Sequence, residues 1–140
     1  MKPILLIAEA DTELRDIFRK FLSERSFDVE TASDGLECMA KLRRLRPDLL
    51  ILDRELLWGG GDGVLACLRE SACATRVIQI ATTLGPDHAE ELKAPVVRRL
   101  AKPFSLKALL EFVGEAIASA VPADPSANAS LSSGRERFAY

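Results

Sequence analysis

The chain opens on an uninterrupted apolar run, Pro3 to Ala8 (PILLIA). A run of this length suits a strand covered on both faces. Leu14, Ile17, Phe18, Phe21 and Leu22 then recur at helical spacing. They predict an amphipathic helix with one core stripe. Phe27, Val29 and Thr31 alternate with Asp28 and Glu30, predicting a half-exposed second strand. Cys38, Met39, Leu42 and Leu45 line a second helix, with Ser33 or Asp34 as its N-cap and Pro47 as its stop. Asp48 to Asp53 (DLLILD) reads as a buried third strand. A short helix over Val64 to Glu70 and a strand over Val77 to Ala81 follow. Residues 86–93 (PDHAEELK) predict a brief helix with Pro86 in its first turn. Val96 to Ala101 is a fifth strand. Ser105 caps a last helix with Leu106, Leu109, Leu110, Val113 and Ile117 on one face.

Five alternations of strand and helix predict an α/β fold, a parallel sheet with helices on both faces. In such sheets, functional groups collect beyond the carboxyl ends of the strands. That rule selects the loops Glu9 to Asp11, Asp53 to Asp62, Ala81 to Thr83, and Lys102 with Pro103. From Pro122 the composition turns to Pro, Ser, Ala and Asn without any period. Residues 1–121 are therefore expected to form one domain, and 122–140 a flexible tail.

Composition narrows the function. The 140 residues carry 19 basic and 21 acidic side chains, a net charge of −2. Nucleic-acid binders usually carry a basic excess, so no nucleic-acid partner is expected. The three cysteines, Cys38, Cys67 and Cys73, form no C-x-x-C pair and sit in or near apolar-patterned segments. Reduced thiols in a cytoplasmic protein are expected. The first apolar run is too short for a signal-peptide core or a membrane span, so no membrane association is expected.

Glu9, Asp53 and Lys102 are the candidate chemistry, each at or just after a strand end. An aspartate so placed can attack a phosphoryl group and become an acyl phosphate. The transferring group carries spread negative charge, so the site calls for a divalent cation and a fixed ammonium. Mg²⁺ takes hard oxygen ligands, which suits Glu9; Lys102 suits the ammonium. The glycines after Asp53 carry no G-x-x-x-x-G-K-[ST] pattern and read as added loop length.

These residues, in this order, resemble the receiver domains of bacterial two-component response regulators. The resemblance runs from about Lys2 to Ala120. It rests on Glu9 after the first strand, Leu14-Arg15 at the helix start, Ala32-Ser33-Asp34-Gly35, Pro47 to Asp53, Asp62-Gly63, and Lys102-Pro103-Phe104. It implies a flavodoxin-like (βα)5 fold with strand order 2-1-3-4-5. It implies a histidine kinase or phosphotransfer protein that phosphorylates Asp53, Mg²⁺ at Glu9, Asp53 and Glu55, phosphate contact by Lys102, and a cis Lys102–Pro103 bond. At Glu55 the metal contact is a backbone carbonyl, or the side chain turned inward. A signalling domain of this kind is not an enzyme in its own right. The tail after residue 121 is too short for a DNA-binding module, so a stand-alone receiver with output by protein contact to an unknown partner is expected; a homodimer is compatible with the family.

Three departures stand beside the matches. Where the family has two consecutive acids, this chain has Glu9-Ala10, and Asp11 reads as a helix cap. Where it has a Thr or Ser after the fourth strand, this chain has Ala81, with Thr82 next as a possible switch hydroxyl. The loop after Asp53 is longer than usual and lacks a proline, with Trp58 as a candidate partner anchor. Two further uses stay open: a degenerate pseudo-receiver acting as a phosphorylation-independent interaction module, and a small phosphatase-like enzyme with Asp53 as nucleophile.

Overall fold

A computed structural model describes residues 2–56, 60–70, 75–81 and 96–118, with the side chains at 60–62 and 69–70 left out of the description. The expected helix over 86–93, the hydroxyl of Thr82, Trp58 and the tail lie outside the described residues.

Five strands form one parallel sheet in the order β2-β1-β3-β4-β5. They are β1 (Ile4–Ala8), β2 (Asp28–Ala32), β3 (Leu49–Asp53), β4 (Arg76–Ala81) and β5 (Val96–Ala101). This is the flavodoxin-like order expected. β3 is buried at every position, as its unbroken apolar run requires of a central strand. β2, at the sheet edge, keeps a mixed pattern and buries only Ala32 fully.

Among the described residues the helices are α1 (Thr12–Ser23), α2 (Gly35–Leu45), α3 (Gly60–Glu70) and α4 (Leu106–Ala118). They divide the core in two. Leu6, Leu50 and Leu52 pack with Cys38 and Leu42 of α2 and Val64, Leu65 and Leu68 of α3. Leu5, Ile7, Ile51 and Ile78 point the other way, to Phe18 and Leu22 of α1 and Leu109 and Val113 of α4. Alternate strand residues thus serve opposite layers, which is the period-2 rule at work. No described helix is long and apolar enough to cross a membrane.

Three ends are set by side chains. Asp11 accepts from the Leu14 amide at 3.1 Å and caps α1. Asp34, not Ser33, caps α2, accepting from the Glu37 amide at 2.8 Å. Glu37 answers by accepting from the Ser33 amide, so two orphan donors are satisfied reciprocally. Ser105 Oγ accepts from the Ala108 amide at 3.0 Å at the start of α4.

One expectation is corrected. Gly60, Gly61 and Gly63 do not extend a loop; α3 begins at Gly60. Val64, Leu65 and Leu68 are buried, and their packing carries the helix back through a glycine-rich turn that propensity disfavours.

Candidate functional site

The sheet brings Glu9, Asp53 and Lys102 to one point. Asp53 ends β3, and β1 and β4 flank that strand. Glu9 follows β1, and Lys102 follows β5. The Arg54 amide donates to the Ile80 carbonyl at 2.7 Å and the Lys102 amide to the Ala81 carbonyl at 2.9 Å. Each loop is therefore tied to the sheet before it departs. The Lys102–Pro103 bond is cis, as the resemblance implies.

Both carboxylates are almost wholly buried, Glu9 at 2% exposure and Asp53 at 3%. Lys102 Nζ lies 2.8 Å from Glu9 Oε1 and 3.2 Å from Asp53 Oδ2. One ammonium therefore serves two acids. The remaining oxygens take backbone donors: Glu9 Oε2 accepts from the Asp11 amide at 3.1 Å, and Asp53 Oδ1 from the Glu55 amide at 3.0 Å.

This sharing has electrostatic consequences. Burial pushes the Glu9 carboxyl above its usual range, and the adjoining Asp53 carboxyl adds to that. Lys102 and the Asp11 amide oppose the rise without cancelling it. For Lys102, burial alone would favour the neutral amine, but Glu9 and Asp53 outweigh it and hold the ammonium charged.

Glu9 Oε1 is fully buried and has no aligned hydrogen-bond donor, although the ammonium stands beside it. Two hard carboxylates against one ammonium leave a net negative pocket. Both features fit a hard cation such as Mg²⁺, which accepts few protein ligands and keeps several waters. Among the described residues no cluster of three acidic or other ligating side chains exists, and the methyl group of Ala10 is exposed. The Glu55 residue is exposed, while its amide holds Asp53. Ala81 is buried at the end of β4 and supplies no hydroxyl.

Two contacts were not foreseen from the sequence. Arg15 Nη1 donates to the Glu9 carbonyl at 2.9 Å. Phe18 stacks on Phe104 with ring centroids 5.5 Å apart, joining α1 to the segment that follows Lys102. Arg15 and Phe104 both lie in motifs that carry the resemblance, but a backbone-carbonyl partner leaves no mark in sequence.

The chain is similar to known proteins in sequence and in fold. The family model for the response regulator receiver domain matches residues 5–114. Response regulator MprA of Mycobacterium leprae is 29% identical over 132 residues, covering 91% of this chain and 57% of its own length. DNA-binding response regulator MtrA of Mycolicibacterium paratuberculosis is 29% identical over 110 residues, covering 79% of this chain and 49% of its own. The chain thus spans about half the length of the curated relatives it matches. Among solved structures, a CheY-like receiver domain protein from Methanospirillum hungatei superposes with a TM-score of 0.78. It covers 86% of this chain and 97% of its own at 20% identity, a likeness of fold.

Proposed function

The chain belongs to the response regulator receiver domain family, and from that premise we propose that it is a phosphoacceptor of a two-component phosphorelay with Asp53 as the acceptor. Receivers of this family are signalling domains that exchange phosphoryl groups with histidine kinases or phosphotransfer proteins. The observation that carries the reading is the buried Glu9–Lys102–Asp53 cluster at the carboxyl edge of the sheet.

In the reaction, a carboxylate oxygen of Asp53 attacks the phosphorus of a phosphohistidine donor. A P–O bond forms and the P–N bond breaks; the departing imidazole takes up a proton. Lys102 is already charged beside Asp53 and sits where the phosphoryl oxygens arrive, so it need not reorganise to meet them. The Glu55 amide fixes one Asp53 oxygen and thereby the plane of the carboxylate. Glu9, Asp53 and the Glu55 carbonyl would hold Mg²⁺, and that ion supplies charge neutralisation for the phosphoryl group. Thr82 is the candidate for the hydroxyl absent at Ala81.

Output by protein contact rather than through nucleic acid is the reading that the net charge of −2 supports. A cytoplasmic setting is the reading for the whole. A homodimer is compatible with it.

The test is incubation with acetyl phosphate and Mg²⁺, then intact-mass measurement. One added phosphoryl group, lost in Asp53→Asn, is the expected outcome. An unchanged mass, also with a panel of histidine kinases, sinks the phosphoacceptor reading and favours the constitutive interaction module.

A further inference from the structure

Arg15 stands outside the acid–ammonium cluster, yet it holds the loop that carries Glu9. Its backbone amide donates to the Asp11 carbonyl at 2.9 Å, in the first turn of α1. Its guanidinium reaches back to the Glu9 carbonyl, also at 2.9 Å. That carbonyl lies just beyond the last residue of β1. The Glu9 amide still bonds the Ala32 carbonyl at 3.1 Å, but β2 ends at Ala32. No further β2 strand residue follows to meet the Glu9 carbonyl, and an orphaned buried carbonyl is costly. Arg15 fills that place with a charged donor, a stronger partner than a neutral amide.

The Glu9 side chain depends on this loop. Its Oε2 takes the Asp11 amide, and its Oε1 faces Lys102. Ala10 offers no side-chain anchor between them. Phe18, one turn beyond Arg15, stacks on Phe104 and fixes α1 against the segment after Lys102. One helix therefore braces both the acid loop and the base loop.

We propose that Arg15 is a positioning residue for the acid pocket: by holding the Glu9 carbonyl, it sets the aim of the Glu9 carboxylate toward Lys102 and toward a divalent cation. The proposal rests on the pocket being the functional site proposed above. Its first readout does not need phosphorylation.

The experiment follows the Asp11 amide resonance by ¹⁵N NMR on the full chain, for wild type, Arg15→Ala and Arg15→Lys. Magnesium affinity is titrated calorimetrically on the same proteins. In Arg15→Ala the Asp11 amide should lose the signature of its bond to Glu9, and Mg²⁺ binding should weaken roughly tenfold, as for residues that orient metal ligands. Arg15→Lys keeps a cationic donor and should return both readouts toward wild type. An unmoved Asp11 resonance in Arg15→Ala overturns the proposal. So does unchanged or tighter Mg²⁺ binding, which would mark Arg15 as a repelling charge only. A lysine that behaves like alanine on both readouts also overturns it, since the effect would then be lost packing. If wild type takes up no Mg²⁺, the Asp11 resonance alone decides. Failure of both acetyl phosphate and the kinase panel to modify Asp53 would sink the phosphoacceptor reading and leave this result standing.

Discussion

Replacing Lys102 by methionine removes the ammonium that stands between two carboxylates that are 2% and 3% exposed. Methionine keeps the apolar stem, so the change isolates the charge. Stranding a buried charge by deleting its partner costs about 3–5 kcal/mol. Lys102 retains 19% side-chain exposure, which lets water approach the gap. The lower end, about 3 kcal/mol, is therefore expected. With a urea m-value of about 2 kcal/mol per molar, the unfolding midpoint should fall by roughly 1.5 M at neutral pH. The loss must also depend on pH in a definite direction. Glu9 has a folded-state pKa above its usual 4.5. Between 4.5 and that raised value the native state binds more protons than the unfolded chain, so stability falls as pH rises through the window. Lys102 is one of the influences that pull Glu9 down. Without it the window extends to higher pH, and the penalty grows with pH. Urea titrations followed by circular dichroism at about pH 5 and about pH 8 should show a small loss at the first and the full loss at the second. Equal midpoints for wild type and variant at the higher pH, or a loss independent of pH, would refute the picture of one ammonium neutralising two buried acids.

Restoring an acid in Ala10→Asp should tighten Mg²⁺ binding by about tenfold or more, because divalent affinity follows ligand charge count; calorimetric titration checks it, and without the cation the same variant should unfold at lower urea. Asp34→Ala removes the bond to the Glu37 amide and should cost about 1 kcal/mol, read from the urea midpoint. Burial raises the Cys38 thiol to about 12, with Asp34 and Glu37 adding to it, while Cys67 is partly exposed. In a Cys73→Ser background, mild iodoacetamide followed by peptide mapping should find Cys67 modified and Cys38 untouched until the chain unfolds.

Much of this arrangement was legible in the sequence because the apolar runs obey the periods of the elements they form. LLIL before Asp53 reads as a central strand, and β3 is buried throughout. The bounds of β5 match those read from VVRRLA. Asp11 as a cap follows from its place before an apolar helical stripe, and it caps α1. The convergence of Glu9, Asp53 and Lys102 also follows, since parallel strands deliver their ends to one edge of a sheet. The start of α3 was not legible: a local reading of GGGDG favours a loop, and only the buried contacts of Val64, Leu65 and Leu68 show why the helix begins earlier. Nor was the choice of Asp34 over Ser33, which turns on Glu37 engaging the Ser33 amide and hydroxyl. The Arg15 contact was invisible because it ends on a main-chain oxygen, which every residue possesses.

Ala10 acquires a physical meaning from the charges around it. Glu9 and Asp53 against Lys102 leave the pocket one negative charge in excess. A second acid at residue 10 would make that excess two, still with one ammonium. Residue 10 is exposed, so water screens part of that repulsion, yet like charges held close still raise the cost of the cation-free fold. Alanine removes that repulsion, so the fold without metal is steadier than it would be with the full acid pair. Under the proposed reading the same change would take one hard ligand from a bound cation and, with Asp11 capping α1, would leave the task to Glu9. Glu9 must then aim correctly without help from its neighbour, and beside Lys102 the groups that can fix that aim include Arg15 and the Asp11 amide. The substitution therefore shifts the pocket from binding by charge toward binding by geometry. Affinity for Mg²⁺ should accordingly be more sensitive to Arg15→Ala in the native chain than in Ala10→Asp, and a double-mutant cycle on these two positions measures that coupling directly.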